Sequence, residues 1–301
     1  MWQKALDMML RRLLQKGSLM VTLPDGENYI YGDGSGDQLQ VHIHDDATVS
    51  HLARNPQLAL GEAYMNGTLT IEKGDLVGLL GLIIVNRDTT PPIWWQRILP
   101  QLRMSLRRFS QNNIARRSQR NVAHHYDLSD RLYDLFLDAD RQYSCGYFHH
   151  ADDTLEQAQA NKKHHIARKL LIEPDMQVLD IGCGWGGMAL TLARDYGAKV
   201  VGITLSKQQH AYAVANAERQ GLSDRVTYKL CDYRTVTGRF DRIVSVGMFE
   251  HVGLPHFNAY FRAIRNLLGA DGVALVHTIG WTAQPDATNP WIAKYIFPGG
   301  Y

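Results

Sequence analysis

Val178 to Gly187 reads VLDIGCGWGG: an apolar run that ends in an acid and then breaks into glycines at Gly182, Gly184, Gly186 and Gly187. The first strand of a parallel α/β sheet is covered on both faces, so an apolar approach, here Met176 to Leu179, is expected before a tight turn into a helix. Glycines in that turn take positive φ without a Cβ penalty and let the backbone come close to a ligand. The helix expected next, over Met188 to Tyr196, aims its free N–H groups and positive dipole end at the same place. Its neighbours extend the pattern. Apolar strands are expected at Gln177–Ile181, Lys199–Thr204, Val226–Lys229, Arg242–Val246 and Val273–His277, with helices at Gln208–Gln220 and His256–Leu268. This βαβ alternation predicts a doubly wound, Rossmann-like sheet that takes its ligand beyond the carboxyl ends of the strands.

The spacing Asp180-x-Gly182-x-Gly184-x-Gly186 differs from the dinucleotide fingerprint, which is G-x-G-x-x-G with an acid about 20 residues on. A diphosphate ligand is therefore the second choice. An acid at the strand end suits a ligand with an ammonium group near a neutral nucleoside, and S-adenosylmethionine is such a ligand.

The 301 residues suffice for two domains. With 45% hydrophobic and 21% charged residues and a net charge of +2, the composition is that of a globular protein and does not imply nucleic acid. The charge distribution says more. No acid occurs from Thr90 to Tyr126, where Arg97, Arg103, Arg107, Arg108, Arg116, Arg117 and Arg120 gather beside Trp94, Trp95 and Phe109. That block reads either as a solvated connector over 91–120 or as an interfacial segment facing an anionic membrane. Before it, residues 1–90 read as a small α+β domain. An amphipathic helix carrying Trp2, Leu6, Met9, Leu13 and Leu14 leads to strands at Leu19–Leu23, Tyr29–Tyr31 and Leu39–Ile43, and helices follow at Ala47–Arg54 and Leu76–Asn86. Three cysteines without a C-x-x-C pair argue against a disulfide framework and for a reducing cytoplasm. The longest apolar run, Leu76 to Val85, is too short to span a bilayer.

Candidate site residues cluster at strand ends. After the second strand, Thr204 and Gln209 can replace the acid that such folds place near a ribose; alternatively Ser206 caps the next helix and Gln209 lies on the surface. Asp232 and Tyr233 after the third strand either meet an adenine or form an ordinary turn. Glu250-His251 and His277 end the fourth and fifth strands, and with Cys145 in YSCGYF they form a polar group of possible catalytic residues. No ligand-type spacing is present, so no metal is expected.

AHHYDLSD (123–130), YSCGYF (143–148), DIGCGWGG (180–187), GITLSKQQ (202–209), GMFEHVG (247–253), HTIG (277–280) and IFPGGY (296–301) together resemble the cyclopropane-fatty-acyl-phospholipid synthase family, which includes the mycolic acid cyclopropane synthases. LGEAYMNGTL (60–69) is similar to the amino-terminal domain of the phospholipid-acting members. The resemblance implies an S-adenosylmethionine-dependent methyltransferase domain over 121–301, preceded by a lipid-docking or dimerisation domain over 1–90. It implies that Tyr143, Ser144, Gly182, Gly184, Thr204, Leu205, Gln209 and Tyr233 surround the donor, with Asp180 and Asp232 beside them. It also implies that Cys145, Glu250, His277 and the backbone of Ile279 hold a bicarbonate ion. Set against the family, the sequence stops at Tyr301 before a further tyrosine of that cage and before the last strands, so an open sheet edge and poor activity of this piece are expected.

The implied reaction cyclopropanates a cis double bond of an unsaturated membrane phospholipid at the inner face of the plasma membrane, with bicarbonate removing a proton from the new methyl group. An alkene is a weak nucleophile, so its π face must be held in line with the sulfonium methyl and away from water. The rings of Tyr147, Phe148 and Phe249 either stabilise the cationic acyl group or pack the core. The alternatives are a methyltransferase that adds a branch to carbon of an acyl group, an N-methyltransferase, and a non-catalytic lipid-binding partner; a homodimer is the expected assembly if the protein is not a monomer.

Overall fold

The computed structural model describes residues 1–87, 104–105, 111–112, 130–280, 282 and 287–300. The arginine-rich 91–120 stretch and the AHHYDLSD motif lie almost wholly outside them. The protein divides into two compact units: Met1–Met104 with Asp286–Lys294, and Ser105–Pro285 with Tyr295–Tyr301. Asp286–Lys294 thus groups with the first unit, although it falls within the 121–301 span read as one domain.

In the first unit, helix α1 (Trp2–Leu13) precedes strands β1 (Leu19–Thr22), β2 (Asn28–Tyr31) and β3 (Leu39–Ile43), helices α2 (Asp46–Arg54) and α3 (Pro56–Met65), strand β4 (Leu69–Lys73) and helix α4 (Leu76–Arg87). The sheet order is β2-β1-β3-β4, with β1 and β3 parallel and the outer pairs antiparallel. Period-two burial sends Val21, Val41 and Ile43 into a core with Leu6, Val49, Leu52 and Leu79. Two elements were not expected. Pro56 at the first turn of α3 reads as a breaker but is tolerated where an N–H needs no partner, and β4 is a short strand whose alternation, Leu69 and Ile71 against Thr70 and Glu72, spans only four residues. Trp291 packs onto α3 at Gly61, where any side chain would collide with its indole.

The second unit carries five parallel strands in the order β7-β6-β5-β8-β9: β5 (Gln177–Ile181), β6 (Lys199–Thr204), β7 (Val226–Leu230), β8 (Phe240–Val246) and β9 (Leu268–His277). This is the doubly wound α/β sheet that the sequence predicts. Successive residues of β5 serve opposite faces. Val178, with Val200, Val226 and Val244, packs under the helices that contain Leu170, Leu190 and Ala213, whereas Leu179 and Ile181, with Ile203 and Ile243, pack against Tyr260, Ile264 and Leu267. Covering both faces explains why the buried part of β5, Val178–Ile181, is apolar except for Asp180, itself only 2% exposed. Helix α5 (Asp130–Tyr133) is a single turn; α6 (Leu155–Leu170) starts at a capping box between Thr154 and Gln157. Helices α7 (Gly187–Tyr196), α8 (Lys207–Arg219) and α9 (Phe257–Leu267) follow β5, β6 and β8. Among the described residues β9 is an edge strand, and no helix is long and apolar enough to cross a membrane.

Candidate functional site

The carboxyl ends of β5, β6, β7 and β8 open onto a cavity of about 1130 Å³, its open mouth included. Its lining contains all ten residues read from the sequence as donor contacts: Tyr143, Ser144, Asp180, Gly182, Gly184, Thr204, Leu205, Gln209, Asp232 and Tyr233. Residues from separate stretches of the sequence therefore converge on one concavity.

The glycine turn is fastened from behind. The N–H groups of Gly182 and Cys183 both donate to the Ile203 carbonyl at 2.9 Å, and the Tyr228 hydroxyl donates to the Gly186 carbonyl at 2.8 Å. Gly186 has φ 92°, and a Cβ there would run into the Tyr228 hydroxyl and Ala213. At Gly184, φ 55°, a Cβ would meet nothing within 4 Å, so this part of the turn borders open space into which a ligand fits.

Thr204 and Gln209 are joined to each other. The Thr204 hydroxyl donates to Gln209 Oε1 at 2.9 Å, and Gln209 is 4% exposed, which rules out its reading as a surface residue. Ser206 does cap α8, accepting from the Gln209 N–H at 3.2 Å, while Thr204 and Gln209 both line the cavity. Asp232 forms the turn that was its plainer alternative: it caps a 3-10 turn over Tyr233–Thr235, and its two oxygens accept from the Arg234 guanidinium at 2.8 and 2.9 Å. Asp180 is less satisfied. Its Oδ2 is buried without a hydrogen-bond partner, and burial pushes its carboxyl up to about 7 against the opposing charge of Lys162.

The four residues expected to handle the acceptor do not line this cavity. Glu250 sits in a 3-10 turn after β8 (Phe249–His251) and is 3% exposed; its Oε1 accepts the Ile279 N–H at 2.7 Å, and its Oε2 is buried without a partner. His277 ends β9 in register with Val246, and its Nδ1 is likewise buried and unpaired. Parallel pairing of β8 and β9 is what sets these two residues at neighbouring strand ends. Cys145 is exposed. Of the three rings considered for cation stabilisation, Phe249 is core, packed 4.4 Å from Phe257 and 5.2 Å from Tyr260, whereas Tyr147 stacks on His165 at 4.5 Å and Phe148 is exposed.

His251, read from the sequence beside Glu250, lines the cavity too; sequence reasoning passed over Trp185, Met188 and Met248, which also line it, and the polar face of α6 behind it. Gln159, Lys162 and Ile166 share one face at helical spacing, so two polar residues continue an apolar stripe; residue type alone hides that they are buried.

A family model described as mycolic acid cyclopropane synthetase matches residues 113–301, and a model for a domain of unknown function matches residues 5–90. The protein is 37% identical over 290 residues to the cyclopropane-fatty-acyl-phospholipid synthase of Escherichia coli (strain K12), covering 93% of this sequence and 74% of that one. It is 34% identical over 298 residues to a probable fatty acid methyltransferase of Pseudomonas putida, covering 94% and 70%. The cyclopropane synthase MmaA2 from Mycobacterium tuberculosis superposes with a TM-score of 0.57 at 38% identity, over 60% of this protein and 68% of that one. Mycolic acid cyclopropane synthase CmaA1, complexed with SAH and CTAB, gives 0.56 at 37% identity over the same shares.

Proposed function

Because the protein belongs to the mycolic acid cyclopropane synthetase family of S-adenosylmethionine-dependent methyltransferases, we propose that it adds a methylene unit from that donor across the cis double bond of an unsaturated phospholipid acyl chain, closing a cyclopropane ring. The observation that carries this reading is the convergence of ten separately read donor residues on one cavity, with open space at Gly184 and an unpartnered Asp180 carboxyl oxygen at its wall.

The donor supplies an electrophilic methyl group on a sulfonium. The turn Gly182–Gly186 admits its amino-acid end, and Asp180 accepts from its ammonium. Thr204 and Gln209 offer polar atoms to the ribose, while Tyr233 and Leu205 flank the base. On the acceptor side, Glu250 Oε2 is an acceptor suited to the O–H of bicarbonate, and His277 Nδ1 is a second buried polar atom that a small anion can meet. The Ile279 N–H holds Glu250 in place at 2.7 Å, and Cys145 lies on the strap that carries Tyr143 and Ser144. A base of this kind avoids placing an alkylatable side chain beside the methyl group.

The substrate class follows the phospholipid-acting relative, and the arginine-rich 90–126 stretch, devoid of acids, supports docking on the anionic inner leaflet of a cytoplasmic membrane. Incubation with labelled S-adenosylmethionine and vesicles of unsaturated phospholipid tests the reading. Mass analysis is expected to find acyl groups that gained a methylene and lost the olefin. Label on a headgroup amine, or on an acyl group that keeps its double bond, counts against it.

A further inference from the structure

The strap that carries Tyr143 and Ser144 into the cavity lies along α6, which grips it with several contacts. The Gln159 amide donates to the carbonyls of Gln142 (3.2 Å) and Ser144 (2.9 Å), the Tyr147 N–H donates to the Ala158 carbonyl at 2.9 Å, and the Lys163 ammonium pairs with Asp140 at 2.5 Å. One contact differs in kind. Lys162, 3% exposed, places its ammonium 2.7 Å from the Ser144 hydroxyl oxygen, and this neutral hydroxyl is its hydrogen-bond partner among the described residues.

An ammonium buried to that degree is costly unless it is paired, and it carries three donors and no acceptor. Anchoring the strap does not require it, because Gln159, Tyr147 and Lys163 already do so. Asp138 and Asp140 on the strap side favour its charge while burial and Lys163 oppose it, and the balance lowers the ammonium to about 8, so it remains charged at neutral pH. Cys145 and Asp180 are the other ionisable groups that feel it.

The bond has a direction. Since Lys162 can only donate, Ser144 Oγ accepts from it, and the hydroxyl proton of Ser144 must point elsewhere. Ser144 lines the cavity. We infer that Lys162 is a positioning residue for the donor's carboxylate: by donating to Ser144 Oγ it turns the Ser144 hydroxyl proton away from itself and leaves it to be donated to an anion in the cavity, and it supplies the charge that the anion balances. The inference rests on reading the cavity as the S-adenosylmethionine site. It divides the amino-acid end between two groups, with Asp180 serving the ammonium and the Lys162–Ser144 pair serving the carboxylate.

The test compares S-adenosylmethionine with its decarboxylated analogue, which keeps the ammonium, by calorimetric titration of the full-length protein. Lys162→Met is expected to weaken S-adenosylmethionine by about tenfold, the loss of one charge-assisted hydrogen bond, while moving the analogue less than about twofold. Lys162→Arg, which keeps a donor and the charge, should recover part of the loss. Ser144→Ala should show the same selectivity, and the double variant should be no worse than the poorer single one. Binding of the analogue also reports whether each variant is folded, and Ser144→Ala serves alone if Lys162→Met does not fold. Equal loss for both ligands would reduce Lys162 to a structural role, and no loss for either would remove it from recognition; each overturns the inference. If the unaltered protein binds neither ligand, the reading of the cavity itself falls, and that result is distinct from the other two.

Discussion

The donor cavity and the acceptor side differ in how their polar atoms are used. Around the cavity most are tied to one another: Thr204 to Gln209, Asp232 to Arg234, Tyr228 to Gly186, Ser144 to Lys162. Beyond β8 and β9, Glu250 Oε2 and His277 Nδ1 are buried and unpaired. Buried polar atoms left unpaired cost free energy and call for an explanation, such as a water, an ion or a catalytic role. The first region is a preorganised wall whose shape is set before anything binds. The second is a pair of groups whose polar atoms find no partner among the described residues.

That comparison is broken most severely at the wall. Gly186→Val places a branched side chain at φ 92° and against the Tyr228 hydroxyl, in a turn with no slack. Strain of about 1–3 kcal/mol from the backbone alone, added to the collision, should abolish donor binding in calorimetry and lower the melting temperature. A variant that binds normally would show that the turn is not the rigid element described. Glu250→Gln addresses the other region. It keeps the shape and the Ile279 contact but removes the carboxylate, so turnover should fall by about 10²-fold or more while the donor Kd stays within about threefold. Equal losses in both would erase the distinction between the two regions.

Asp180 is where the wall resembles the acceptor side, since one of its oxygens is also unpaired. Its carboxyl titrates near 7 in the fold against 3.8 ordinarily, so the folded state binds the extra proton. The associated stability is present below pH 4 and declines as pH rises through about 7. Donor affinity should move oppositely. An ammonium favours the ionised carboxylate, so the Kd should improve by up to about tenfold per pH unit from pH 5 to 7 and then level off. Asp180→Asn should flatten both profiles; a slope that survives the substitution assigns it to another group.

The legibility of the two regions differs for physical reasons. β5 and β6 have the same bounds in sequence and structure because strands covered on both faces have mostly apolar interiors, and the glycine turn announces itself by residue type. β9 begins five residues earlier than Val273, since Leu268–Gly272 extends the strand without alternation or β-branched residues. Burial of Gln159 and Lys162 was hidden because those residue types are ordinarily exposed on helices, whereas here both hydrogen-bond to the strap lying along α6. Glu250 and His277 stand out as polar residues at strand ends, but their unpaired atoms depend on the register of β8 against β9, which no local pattern encodes.

The smallest expected effect sharpens the comparison most, because it asks whether the wall acts as a unit. Gln209→Ala removes the acceptor of the Thr204 hydroxyl, and Thr204→Val removes that hydroxyl while keeping the branched shape. Each should weaken the donor by about tenfold or less, in line with one or two hydrogen bonds of about 1 kcal/mol each. If the two side chains hold each other in the orientation that the ribose meets, the first substitution already disorders the second residue. The double variant should then lose little beyond the worse single one, a coupling of about 0.5–1 kcal/mol in the cycle. Strict additivity would mean that each contacts the ligand on its own, and the wall would then be a set of separate contacts with no preorganised pair at this point.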